Sequence, residues 1–321
     1  MNRARPLIIA HRGASGYRPE HTLEAYELAI ELGADFIEPD LVSTRDGVLI
    51  ARHENDLSET TDVADHPKFS DRRKTKRIGR NEPTGWFSED FTLAEIKTLR
   101  AKERLPSRDQ SHNGRFQVPT FQEVLDLARR KSAETGRTIG VYPETKHPTY
   151  FRSLGLALEE PLLATLEAAG YRDRNAPVYI QSFETGNLQE LRRRTDLPLI
   201  QLLEVQGQPF DLTAAGDART YRDLAAPEGL AAIATYADGI GPNKRLIVPI
   251  DAGGRLQPPT SLVADAHRAG LLVHAWTFRS DGPFLALNYE GDHRREYEQF
   301  FRLGVDGVFS DFTDHAVAAR A

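Results

Sequence analysis

Residues 7–40 read LIIAHRGASGYRPEHTLEAYELAIELGADFIEPD. An apolar, β-branched run, Leu7–His11, opens the stretch, and a second, Phe36–Asp40, closes it. Between them Thr22 is placed to cap a helix over Leu23–Leu32. Leu23, Tyr26, Ala29 and Ile30 share one face of that helix, and Gly33 ends it. A strand, a helix and a strand in this order make one β/α unit, whose natural home is a parallel sheet.

The alternation continues along the chain. Further strand-like runs are Ile139–Glu144, Val178–Phe183, Leu199–Leu203, Gly239–Pro242, Leu272–Phe278 and Val305–Asp311. Amphipathic segments lie between them, one starting at Thr120 and running through Arg130. Another starts at Thr260 or Ser261, runs through Arg268, and has Gly270 placed to stop it. A ninth run, Val48–His53, follows the turn signal Thr44-Arg45-Asp46-Gly47 and should fold back on the second run as a hairpin. Eight parallel runs and one hairpin arm predict a closed (β/α)8 barrel of the TIM type. The 321 residues suit such a barrel, about 250 residues in its simplest form, with insertions. The expectation is one barrel domain over residues 1–321, with a loop-and-helix insertion at 62–118 that holds a short helix near Thr92–Leu99. A second polar stretch spans 280–298. Both follow strand ends, on the face where barrel active sites lie.

Composition narrows the chemistry. At 40% hydrophobic and 27% charged residues the chain can build a substantial core. Its net charge of −6 argues against a nucleic-acid partner, whose footprint is usually basic. There is no cysteine, so disulfides and thiolate metal sites are excluded and any metal must be held by oxygen or imidazole. The apolar run before His11 is too short for a signal peptide or a membrane span. Read as a complete chain it is expected in the cytoplasm; a trimmed secreted protein would look the same.

The polar residues collect at the ends of the runs. The first ends in His11-Arg12, the second in Glu38-Pro39-Asp40, and the hairpin arm in His53-Glu54. Glu144 and Lys146 follow, and Gln181, Glu204, Asn243 and Trp276 lie at or near later ends. In a barrel these positions converge on one mouth. Glu38 and Asp40 are two apart, so in a strand both point to one face. Alone, such a pair is an ordinary surface feature. Joined by Glu144, it gathers three negative charges that repel unless a cation neutralises them. All-oxygen ligation points to Ca²⁺ ahead of Mg²⁺, and away from zinc. A lone histidine in such a place is usually a satisfied core residue. Two, beside cations and carboxylates, fit a general base and general acid, because imidazole titrates near neutrality. Arg12 and Lys146 add fixed positive charge for an anionic oxygen, a set suited to attack on a phosphodiester.

HRGASGYRPEHT (11–22) followed by EPDLVSTRDGVLIARHE (38–54) closely resembles the signature of the glycerophosphodiester phosphodiesterases, particularly the branch of the bacterial periplasmic enzyme. The resemblance runs nearly end to end, through TTDVADHP, YPETK, YIQSF, VHAWTFRSD and GVDGVFSDF. It implies a (β/α)8 barrel that hydrolyses glycerophosphodiesters to sn-glycerol 3-phosphate and an alcohol, with one divalent cation. By position it implies His11 and His53 as the catalytic pair and Glu38, Asp40 and Glu144 as metal ligands. Arg12 and Lys146 match the phosphate contacts. Glu20 looks like a site residue that organises Arg12 or a substrate hydroxyl, and His21 like a structural partner for the turn. Two departures stand out: Glu54 where many relatives have Asp, and Thr145 where many have an apolar residue. Both bear on substrate preference. The chemically nearest alternatives are a phospholipase C or D-type enzyme on the same fold, a paired-carboxylate glycosidase and a non-catalytic Ca²⁺-binding barrel. The charged insertions favour a small, deacylated substrate and no membrane insertion.

Weaker signals complete the reading. Gln181 and Trp276 are placed to contact substrate, Trp276 as an aromatic wall for a choline-like head group. Trp86 and Phe87 are candidates to cap the mouth, against the ordinary alternative that they anchor their own loop. The basic run Lys68–Arg80 either steers anions or is simply a solvated loop.

Overall fold

The computed structural model describes residues 5–320. Strand β1 (Leu7–His11) leads through helix α1 (Leu23–Glu31) to β2 (Phe36–Glu38) and β3 (Asp40–Ser43). The last two are one stave interrupted at Pro39, which has no N–H to give to the ladder. Its carbonyl still accepts from the Glu144 amide at 2.9 Å, so pairing resumes at once. β4 (Leu49–Ala51) lies antiparallel on Leu41–Ser43 as the expected hairpin arm. β5 (Lys74–Thr75) and β6 (Thr84–Gly85) form a small ribbon within the insertion. The next stave is split by Tyr142-Pro143 into β7 (Gly140–Val141) and β8 (Glu144–Thr145). Then follow β9 (Ile180–Ser182), β10 (Leu199–Leu203), β11 (Gly239–Pro242), β12 (Leu272–Phe278) and β13 (Gly307–Ser310).

Parallel pairing runs from β8 through β9, β10, β11, β12, β13, β1 and β2 to β7. Since β7 and β8 belong to one stave, the two ends of that series meet, and Val141 bridges Val178 just ahead of β9. The ring of eight staves is closed: a (β/α)8 barrel. Alternation along β1 sends Ile9 inward, against Phe36, Tyr142, Ile200 and Phe309, and Ile8 outward into the layer shared with the helices. Both isoleucines are fully buried, and truncating either to alanine should cost about 2–5 kcal/mol.

The helices begin where their caps predict. Thr22 accepts from the Ala25 amide at 3.2 Å. α1 buries Ala25, Tyr26, Ala29 and Ile30, while Leu23, expected on that face, stays partly exposed. α2 (Leu93–Ile96) and α3 (Phe121–Thr135) start with capping boxes, Thr92 with Glu95 and Thr120 with Glu123. α3 outruns the expected end at Arg130, because no breaker intervenes before Gly136, which closes it at φ +68°. The helix Leu262–Arg268 follows Ser261 and stops before Gly270 as expected. Among the described residues no helix is long and apolar enough to cross a membrane.

Candidate active site

Strand register assembles the site. Parallel pairing sets His11 beside Glu38, Asp40 beside Glu144, and Glu144 beside Gln181. The three carboxylates are buried, and one oxygen of each lies within 4.8 Å of the others. Arg12, whose own φ is +60°, donates its backbone amide to Glu38 at 2.8 Å, and Gln181 donates to the other Glu38 oxygen at 3.1 Å. Lys146 Nζ stands 3.0 Å from Glu144. Arg12 is clamped by both oxygens of Glu20, at 3.1 and 3.0 Å, and Arg104 reaches Glu20 from the insertion at 2.9 Å. Glu20 thus organises Arg12.

The electrostatics are those of carboxylates that resist joint ionisation. Burial, with Asp40 and Glu144 adding, pushes the Glu38 carboxyl well above its usual range. Burial raises Glu144 to about 8; Asp40 adds to this and Lys146 opposes it. Burial also works against Asp40, but Lys146 and His21 outweigh it and hold that carboxyl well down. Three such groups cannot all ionise unaided. Asp40 Oδ1 is moreover buried without a hydrogen-bond partner, and so is Gln181 Oε1. Hard oxygen donors with free lone pairs fit a divalent cation.

The two histidines arrive differently. His11 Nδ1 lies 2.6 Å from Asp311 Oδ1, and Asp311 also accepts from Arg108 at 2.6 Å, with Arg279 Nε at 3.3 Å. Burial opposes ionisation of Asp311, but His11, Arg108 and Arg279 hold its pKa far down. An ionised Asp311 only accepts, so His11 carries its proton on Nδ1 and keeps the Nε2 lone pair. Burial, assisted by Arg12, lowers the His11 pKa to about 4 against the pull of Asp311. His53 Nδ1 makes a looser 3.2 Å contact with Glu54, whose other oxygen meets His147 at 2.8 Å. Enclosure, then Arg12 and Lys146, lower the His53 pKa; with 34% of its side chain exposed, solvent moderates the push.

Both histidines, the three carboxylates, Arg12, Lys146, Gln181 and Trp276 line one cavity of about 1160 Å³. Trp276 is pinned by a 2.6 Å bond to the Gly241 carbonyl and meets Phe183 edge-on at 5.7 Å. Glu204 and Asn243 bond each other at 2.8 Å. His21, expected as a structural partner for its turn, donates its backbone N–H to the Arg12 carbonyl at 3.0 Å. Its ring also bonds Asp40 at 2.9 Å and Tyr26 at 2.7 Å, so it orients a carboxylate of the cluster as well. Thr145 is bonded to Asn187 at 2.7 Å.

The loop aromatics take the ordinary one of their two expected roles. Neither Trp86 nor Phe87 lines the cavity: Trp86 donates to the Phe69 carbonyl at 2.6 Å and Phe87 is fully buried, so both anchor their loop. Ile78, Arg80, Asn81 and Glu82 line the mouth from the insertion instead. Much of the basic run is spent inside it, Arg72 on Glu95, Lys74 on Asp90 and Lys76 on Glu89. Sequence reasoning also missed Asp311, Arg104, Arg108 and Arg279. Asp311 ends the eighth run, and the strand-end criterion applied to the other runs identifies it; Arg104 and Arg108 lie in the insertion with no pattern to mark them.

Comparison with known proteins agrees. The model of the glycerophosphoryl diester phosphodiesterase family matches residues 11–315. The chain is 40% identical to glycerophosphodiester phosphodiesterase GDPD6 of Arabidopsis thaliana, over 98% of this chain and 85% of that one. It is 31% identical to the glycerophosphodiester phosphodiesterase of Haemophilus influenzae, over 97% and 88%. Among solved structures, the glycerophosphodiester phosphodiesterase of Agrobacterium tumefaciens aligns with a TM-score of 0.60 at 21% identity, covering 98% of this chain and 99% of that one, which bears on the fold. The chain belongs to the glycerophosphoryl diester phosphodiesterase family and is a phosphoric diester hydrolase.

Proposed function

We propose that this one barrel unit hydrolyses small glycerophosphodiesters to sn-glycerol 3-phosphate and an alcohol, with one divalent cation, His11 as base and His53 as acid. The observation that carries the reading is the convergence, in one cavity, of three mutually repelling buried carboxylates with two imidazoles and two cationic side chains. Glu38, Asp40 and Glu144 would hold the cation, Ca²⁺ ahead of Mg²⁺, since Mg²⁺ usually keeps several waters and takes one or two carboxylates. When bound, it supplies Lewis acidity and offsets charge building on the phosphoryl group.

The rest falls to the chain's own groups. Arg12 and Lys146 bind and orient the phosphate, and Glu20 holds Arg12 in place for it. His11 Nε2, neutral and fixed by Asp311, takes the proton of the attacking hydroxyl, either water or the 2-hydroxyl of the glycerol. His53, on the more open side, gives a proton to the departing alkoxide. The free cleft disfavours the charged form of His53. A bound phosphodiester anion offsets the push of Arg12 and Lys146, though not that of burial, and so shifts His53 toward its charged form when substrate is present. Gln181 steadies Glu38, and Trp276 with Phe183 forms an aromatic wall for the head group. The cysteine-free composition suits a reducing compartment, and the cytoplasm is the proposed location. A panel of glycerophosphodiesters and their diacyl counterparts, assayed for glycerol 3-phosphate with and without chelator, tests the reading. Faster cleavage of the intact phospholipid would move the assignment to a phospholipase, for which the charged insertion gives no support.

A further inference from the structure

The insertion does more than border the mouth. Arg108, deep within it and only 6% exposed along its side chain, reaches three separate segments at the barrel's top. Its Nη2 donates to Asp311 Oδ2 at 2.6 Å, just after β13, and to Asp281 Oδ2 at 2.7 Å, in the loop after β12. Its Nη1 donates to the Ser15 carbonyl at 3.0 Å, in the loop after β1, and the guanidinium lies over the Phe312 ring at 5.5 Å. Ser15 in turn donates its hydroxyl to the His11 carbonyl at 2.8 Å. Both ends of the His11–Asp311 pair are therefore tied to one side chain, which belongs to neither strand.

A carboxylate attached through one bond to an imidazole can rotate about its χ angles and lose its alignment. Held by a guanidinium on the second oxygen, it keeps the first aimed at Nδ1. We infer that Arg108 is a positioning residue for His11: it fixes Asp311, so that the imidazole is held in the tautomer and orientation that keep the Nε2 lone pair free. The insertion is then part of the catalytic machinery through this clasp. Asp281 is its second anchor, and the loop after β12 is drawn in by the same side chain. The inference rests on the proposed role of His11 as base.

Steady-state kinetics on glycerophosphocholine separate the possibilities. Arg108→Ala should lower kcat about 10- to 100-fold, the range for groups that orient a functional imidazole, with KM changed less than threefold (~3). In an Asp311→Asn background the same substitution should cost little more, because the carboxylate it positions is gone. Asp281→Asn, which leaves the Arg108–Asp311 contact in place, guards against a folding artefact. It should retain the wild-type melting temperature and lose a smaller part of kcat. Wild-type kcat in Arg108→Ala, an effect on KM alone, or an undiminished loss in the Asp311→Asn background would each overturn the clasp. Full turnover in His11→Ala would instead overturn the base assignment on which it rests.

Discussion

The two imidazoles of the cleft are held in opposite ways. His11 is buried, 2.6 Å from an aspartate that two arginines also grip. His53 keeps a third of its side chain in solvent, sits 3.2 Å from a glutamate that is itself about half exposed, and shares that glutamate with His147. The same element, an imidazole backed by a carboxylate, is buried and closely bonded on one side and part-exposed and loosely paired on the other. The contrast matches the two tasks proposed for them. A base works from a neutral ring with its lone pair aimed at one hydroxyl. An acid must recover a proton from solvent every cycle while the leaving alcohol departs past it.

Removing the proposed cation should strike both sides together and have the largest effect. Chelation is expected to abolish turnover and lower the melting temperature, since Glu38, Asp40 and Glu144 would be left to repel one another, and re-added Ca²⁺ should restore both. Full activity in a preparation shown metal-free by elemental analysis would break the carboxylate reading without touching the contrast between the histidines.

The contrast itself is sharpened by the carboxylates. Asp311→Asn should lower kcat about 10- to 100-fold, whereas Glu54→Gln should cost well under about tenfold, because its contact is longer and solvent competes for it. Equal losses would show that exposure does not distinguish the two arms.

The smallest expected effect is on stability, and it lies on the buried side. His274, inside the barrel and bonded to Tyr142 at 2.8 Å, has its pKa lowered by burial to about 4, as does His11. A histidine whose folded pKa is depressed stays neutral while the unfolded chain takes up its proton. Stability is therefore full above the unfolded pKa near 6.5 and falls as the pH drops from there toward 4, by at most about 1.4 kcal/mol per pH unit for each group. Urea midpoints should fall through that window, and His274→Gln should flatten part of the fall. His53→Gln should flatten it less than His274→Gln, because solvent reaches that ring and moderates its shift. An unchanged slope in His274→Gln would remove the barrel interior from the acid response.

Much of this was legible in the sequence because barrel strands carry their chemistry at one end. His11, Arg12, Glu38, Asp40, His53, Glu144 and Lys146 all stand at the ends of apolar runs, and closing the barrel was enough to bring them together. Pro39 and Pro143 blurred the strand limits without moving the register. What stayed hidden depends on long-range geometry. Arg108 lies 203 positions from Asp311 in a polar loop with no periodicity, and only the folded insertion delivers it. His21 is the turn partner its sequence suggests, but its further bond to Asp40 crosses from the loop to a strand that local pattern cannot place.

The division of labour between the histidines is most directly tested by the leaving group. An alkoxide is strongly basic and needs a proton to depart, whereas nitrophenolate needs little. kcat/KM would be measured for His11→Ala and His53→Ala on glycerophosphocholine and on glycerophospho-nitrophenol. On glycerophosphocholine both should fall on the order of 10²–10⁴. On the nitrophenyl ester His53→Ala should recover most of its loss and His11→Ala should not, because the nucleophile still needs its base. Recovery in His11→Ala instead would reverse the roles, and no dependence on the leaving group in either variant would contradict the acid–base pair.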